Sequence, residues 1–205
     1  MFRTAVLAGL IVAALSPSAS AGAPENAGHA GKPETAIFAG GCFWCMTPPF
    51  EKTPGVISVT SGYIGGTKPN PTYEDYAGGG HVEAVEVVFD PAKVSYDKLL
   101  DIFWMQVNPT DGGGQFVDRG PQYRPAIFYL DDAQRRLAEA SRDRLARSGR
   151  FGGPLRTDIL RAGPFYKAEE YHQDYWKKNP IRYKFYRFNS GRDQFIEKTW
   201  GKQGH

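Results

Sequence analysis

Cys42 and Cys45 are the two cysteines of the chain, three positions apart in Gly40-Gly41-Cys42-Phe43-Trp44-Cys45. The apolar run Ala36-Ile37-Phe38 leads into them. A thiol at the mouth of a helix gains thiolate character from the free backbone N–H groups there, so Cys42, nearer the start, is expected to be the better thiolate. A second thiol three residues on can close a disulfide with it. Such a bridge closes a very short loop and removes little chain entropy, which suits redox exchange better than stapling. A structural disulfide is the alternative.

Glu83 lies in the run Val82–Phe89, where period 2 sets it on one face with Val85, Val87 and Phe89. A carboxyl at the head of an apolar face is desolvated and its pKa rises, which makes Glu83 a candidate general acid near neutral pH. A strand-end glutamate turned to solvent is the alternative. The long loops hold Tyr63, Tyr73, Tyr76, Asp118 and Tyr123, and loops on a rigid scaffold often build a site. A lone loop tyrosine is more often a packing residue. His81-Val82-Glu83 and the cysteine pair have the donor types of a zinc deaminase, but in the reverse order and without the proline before the first cysteine. His172 and Tyr175 share an aromatic stretch with Tyr171 and Trp176, whose simplest role is packing. Arg182, Tyr183, Lys184, Phe185, Tyr186 and Arg187 interleave bases and rings as single-strand nucleic-acid binders do. A net charge of +3 makes no strong case for nucleic acid, and a surface strand with snorkelling bases is the simpler reading.

These residues need elements to hold them. Thr35–Ala39 reads as a buried strand, and a helix starts at Cys42. Pro48-Pro49 should break that helix into two turns, because proline removes a hydrogen bond and clashes with the preceding turn. Val56–Ile64 and Val82–Phe89 read as strands. Ser95 caps a helix with Leu99, Leu100, Phe103, Trp104 and Val107 at helical spacing. A strand follows at Ala126–Leu130, then a helix capped by Asp131 and closed by Gly149. A strand is expected near Thr157–Arg161 and a helix near Lys167–Lys178. The aromatic, basic tail from about Ile181 has few helix signals. The order β-α-β-β-α-β predicts an α+β two-layer sandwich with a ferredoxin-like core and C-terminal elements wrapped on it.

Residues 1–21 read as a secretory signal peptide: Arg3, the apolar run Ala5–Leu15, and the small-x-small site Ala19-Ser20-Ala21. That run is too short for a comfortable membrane span, so no stable membrane insertion is expected. Residues 22–34 read as a disordered leader and 35–205 as a single catalytic domain. An exported chain, periplasmic or extracellular, sits where disulfides form readily. Nothing in the chain demands more than a monomer.

Gly41-Cys42-Phe43-Trp44, Pro69-Asn70-Pro71-Thr72-Tyr73, Gly80-His81-Val82-Glu83-Ala84, Val85 through Phe89-Asp90-Pro91, Asp118-Arg119-Gly120-Pro121-Gln122-Tyr123-Arg124 and Tyr171-His172-Gln173-Asp174-Tyr175 together resemble the A-type peptide methionine sulfoxide reductases. The resemblance runs from about Thr35 to Asn179. It implies thiol-dependent reduction of the S epimer of methionine sulfoxide, free or in oxidised proteins, with no metal and no organic cofactor. Carried onto this chain, it makes Cys42 the nucleophile, and Phe43 and Trp44 the walls for the substrate methyl group. Tyr73, Glu83 and Tyr123 become the hydrogen-bonding set at the sulfoxide oxygen, with Glu83 the proton donor. Asp118 is the acidic residue beside that set, and His172 and Tyr175 line the site. Many members have glycine after the tryptophan and resolving cysteines in a C-terminal tail. Here Cys45 takes the first position and no cysteine follows it, so Cys45 is the internal candidate for resolving, and a thioredoxin-like dithiol is the implied reductant. The rival readings are a thioredoxin-like disulfide oxidoreductase, whose tryptophan precedes the first cysteine, and an exported binding domain with a structural disulfide.

Overall fold

The structure is a computed structural model that describes residues 1–2 and 31–202. The expected signal peptide and leader lie outside the described residues as far as residue 30, apart from the first two. The elements are β1 (Glu34–Ala39), α1 (Phe43–Glu51), β2 (Val56–Ile64), β3 (Val82–Phe89), α2 (Tyr96–Gln106), β4 (Gly114–Gln115), β5 (Asp118–Arg119), β6 (Ala126–Tyr129), α3 (Asp132–Arg147), β7 (Asp158–Arg161), β8 (Tyr166–Lys167), α4 (Tyr175–Lys178), α5 (Pro180–Asn189) and α6 (Arg192–Trp200). Strands β7-β6-β1-β3-β2-β8 form one sheet, and β4 and β5 form a separate hairpin. Neighbours in the sheet are antiparallel except the parallel pair β6–β7. The expected β-α-β-β-α-β core is therefore β1-α1-β2-β3-α2-β6, with the later elements added around it.

Alternation along β1 divides the buried side chains. Phe38 faces the helices, stacked on Phe50 of α1 at 5.1 Å and on Phe103 and Tyr96 of α2 at 5.4 and 6.1 Å. Ile37 and Ala39 take the other face with Ile64, Val82, Ala84, Ala126 and Phe128. Ser95 caps α2 through its hydroxyl on the Lys98 N–H, and Asp131 caps α3 through its carboxylate on the Gln134 N–H, as the sequence predicts.

Three sequence expectations are corrected. First, Pro48 and Pro49 do not break α1, which runs on through both. The prolines leave the carbonyls of Trp44 and Cys45 without their helical donors, and Arg187 Nη1 supplies one to Cys45 O at 2.8 Å. Second, no continuous helix spans Lys167–Lys178. The Ala168 N–H bonds Ser61 O, the Gln173 amide bonds both Ser61 N and O, and Asp174 takes a left-handed φ of 53°. Pairing with β2 competes successfully with the helix, leaving β8, a 3-10 turn at Glu170–His172, and the single turn α4. Third, the tail is helical. Asn179 precedes Pro180 at the first turn of α5, where the missing N–H of proline costs nothing, and Gly191 at φ +83 starts α6.

Candidate active site

Strand β1 must turn sharply into α1, and the two glycines permit it. Gly41 has φ +81, and a Cβ there would stand 2.7 Å from Gln115 Cβ and 3.0 Å from Arg192 Nη2. Cys42 follows as the N-cap of α1 and is 7 % exposed, with Phe43 and Trp44 on the first turn. Glu83, at the start of β3 opposite Tyr63, is 2 % exposed. Its Oε2 accepts from the Phe43 N–H at 2.9 Å and its Oε1 from the Tyr76 hydroxyl at 3.0 Å. Burial pushes its carboxyl up to about 8, against the pull of those two donors. At neutral pH Glu83 is therefore largely the neutral acid.

Cys42, Phe43, Trp44, Tyr73, Glu83, Asp118, Tyr123 and Tyr186 line one cavity of about 120 Å³. Burial raises the phenols of Tyr73, Tyr76 and Tyr123, so they remain donors. Asp118 is raised by burial as well, although the Tyr186 hydroxyl bonds its Oδ1 and Oδ2 at 2.7 and 2.6 Å.

The thiols differ from the helix-mouth expectation. Phe43 N–H, one of the free donors at the start of α1, is taken by Glu83 rather than by sulfur. Burial pushes the Cys42 thiol up, helped by its hydrogen bond to Cys45 and by the charges of Glu83 and Asp118. Cys45 is lowered to about 6, first by the hydrogen bond from Cys42 and then by the guanidiniums of Arg192 and Arg187. Burial thus favours the protonated form of Cys42, while the hydrogen bond between the thiols and the two guanidiniums favour the ionised form of Cys45.

His172 and Tyr175 stand one layer behind the cavity wall. The Trp44 indole N–H donates to His172 Nδ1 at 3.1 Å, and Tyr175 stacks on the indole at 3.6 Å and 3°. Burial lowers the His172 pKa, so the ring is neutral and accepts at Nδ1. Glu169 ties the opposite wall, accepting from the Tyr73 N–H and the Tyr63 hydroxyl, both at 2.8 Å. His81 binds the Gly66 N–H and Lys68 O, holding the loop before β3. Among the described residues, no group of three or more His, Cys, Asp or Glu side chains is arranged to hold a metal ion.

Sequence reasoning misses Tyr186, Glu169, Arg187 and Arg192. Asn179-Pro180 is a helix-start signal that would have set Tyr183, Tyr186 and Arg187 on one face of α5. That face is aromatic and polar rather than aliphatic, so it does not read as an inward one.

A family model for peptide methionine sulfoxide reductase matches residues 34–204. The peptide methionine sulfoxide reductase MsrA of Bacillus licheniformis is 57% identical over 174 residues, spanning 84% of this chain and 96% of that protein. The Bacillus subtilis MsrA is 57% identical over 172 residues, spanning 83% and 97%. Among solved structures, methionine sulfoxide reductase A of Corynebacterium diphtheriae superposes with a TM-score of 0.65 at 37% identity, covering 73% of this chain and 76% of that one. Reduced Mxr1 of Saccharomyces cerevisiae gives 0.69 at 28% identity, covering 73% and 87%. The chain belongs to the peptide methionine sulfoxide reductase family and is a thiol-based reductase of methionine sulfoxide.

Proposed function

We propose that Cys42 is the nucleophile, Glu83 the acid and Cys45 the resolving thiol in reduction of the S epimer of methionine sulfoxide, free or in oxidised proteins. The observation that carries this reading is one small cavity faced by both a buried thiol and a buried, neutral carboxyl. A sulfoxide oxygen leaves poorly until it is protonated, and Glu83 holds a proton there at neutral pH. Tyr73 and Tyr123 donate to the same oxygen, and Phe43 and Trp44 receive the methyl group. Cys42 sulfur then bonds the substrate sulfur, methionine leaves, and Cys42 is left as the sulfenic acid. Cys45 closes the disulfide with loss of water, and an external dithiol of thioredoxin type reduces it by exchange. Asp118 and Tyr186 close the side of the cavity, while His172 and Tyr175 fix the Trp44 indole.

The location belongs to the same proposal. Arg3, the apolar run to Leu15 and Ala19-Ser20-Ala21 support export to a periplasmic or extracellular space. Among the described residues no helix is long and apolar enough to cross a membrane.

Turnover of separated epimers tests the assignment. The expected result is methionine from the S epimer alone and none from either epimer with Cys42→Ser. Retained turnover in Cys42→Ser would remove Cys42 as the nucleophile.

A further inference from the structure

Arg192 is buried to 0 % exposure, yet among the described residues it pairs with no carboxylate. Its Nη2 donates to Gly40 O at 2.9 Å and its Nη1 to Gln106 O at 2.5 Å and to Met46 Sδ at 3.5 Å, while Nε has no partner. A buried guanidinium with no carboxylate at ion-pair distance is costly, and this one, over the Phe116 ring at 4.7 Å, stands beneath the loop that carries Cys42. Arg187 approaches from the preceding helix. Its Nη1 donates to Cys45 O, its Nη2 to Gln106 Oε1 and its Nε to Asp193. The carbonyl that Arg187 meets is the one Pro49 leaves without a helical donor.

We infer that Arg192 and Arg187 are positioning residues that keep the negative charge of the reduced pair on Cys45, where it takes the Cys42 proton during attack and afterwards closes the disulfide. The step balances. Cys42 S–H gives its proton to Cys45 as its sulfur bonds the sulfoxide sulfur, and Glu83 gives its proton to the oxygen. The hydroxyl then passes from the substrate sulfur to Cys42 sulfur as the bond between the two sulfurs breaks, so the substrate sulfur gains two electrons and leaves as the thioether, and Cys42 is left as S–OH. Cys45 sulfur then bonds Cys42 sulfur, the S–O bond breaks, and hydroxide takes the Cys45 proton to leave as water. Glu83 regains a proton from solvent. The groups facing Cys45 are Cys42 at the N-cap of α1, Arg187 and Tyr183 on α5, Arg192 on α6, and Asp118 and Glu83 across the cavity. Both cations come from the C-terminal helices.

The inference rests on Cys45 as the resolving thiol, and its test is read without substrate. In Cys42→Ser the ultraviolet absorbance of the remaining thiolate reports Cys45 alone. It should titrate well below an ordinary thiol. Adding Arg192→Gln or Arg187→Gln should raise the midpoint by about one unit or more, the size of a nearby opposite charge. Arg192→Lys should restore most of the shift. A midpoint that stays put in both glutamine variants would overturn the inference. Should Arg192→Gln fail to unfold cooperatively, Arg187→Gln decides alone. The resolving role itself fails separately, by a turnover that leaves Cys45 reduced.

Discussion

At the scale of single residues, Glu83 decides whether the cavity can do acid chemistry. Its carboxyl has two donors, Phe43 N–H and Tyr76 O–H, which favour the ionised form, yet burial outweighs them. Glu83→Gln keeps the size and the acceptor but removes the transferable proton. The first step should slow roughly 100-fold or more, the scale of a lost general acid. The parent rate should fall as pH rises through about 8, where Glu83 ionises. The variant should lack that fall, and an identical profile in rapid-mixing assays would exclude Glu83 as the acid. Glu83 was readable in the sequence because period 2 set it on an apolar face. Which thiol ionises more readily was not, because the guanidiniums that favour ionisation of Cys45 belong to residues more than 140 positions further along the chain.

At the scale of elements, β1 and α1 do most of the positioning. Phe38, fully buried, is sandwiched against both α1 and α2, so it sets the distance between the sheet and the helix that begins at Cys42. Phe38→Ala should cost about 3–5 kcal/mol in urea unfolding. A loss under about 1 kcal/mol would mean that the helices do not seat on this ring. The strands and α2 followed from alternation, helical spacing and caps, which are local signals. The tail helices did not, because their inward face is built from Tyr183, Tyr186 and Arg187, which serve the site rather than an aliphatic core. The helix expected over Lys167–Lys178 failed for a non-local reason, the hold of Gln173 on β2.

At the scale of the whole molecule, the site draws on stability. Burial pushes the Glu83 carboxyl up to about 8 in the folded chain, from an ordinary 4.5. As pH rises, the unfolded chain releases this proton first. The contribution of Glu83 is thus fully present below about 4.5 and is lost on the way to about 8. Asp118, also raised by burial, acts in the same direction. Cys45, lowered to about 6, acts oppositely at higher pH and is common to both proteins compared. Urea midpoints measured under reducing conditions should decline less steeply with pH in Glu83→Gln than in the parent across this window. Parallel declines would contradict a protonated, buried Glu83.

The most direct test of the account is a single turnover of the reduced protein with the S epimer, followed by thiol count and intact mass. One equivalent of methionine with both thiols lost and the mass of an internal disulfide is the predicted result. Methionine formed while Cys45 stays a free thiol and Cys42 alone is oxidised would contradict it.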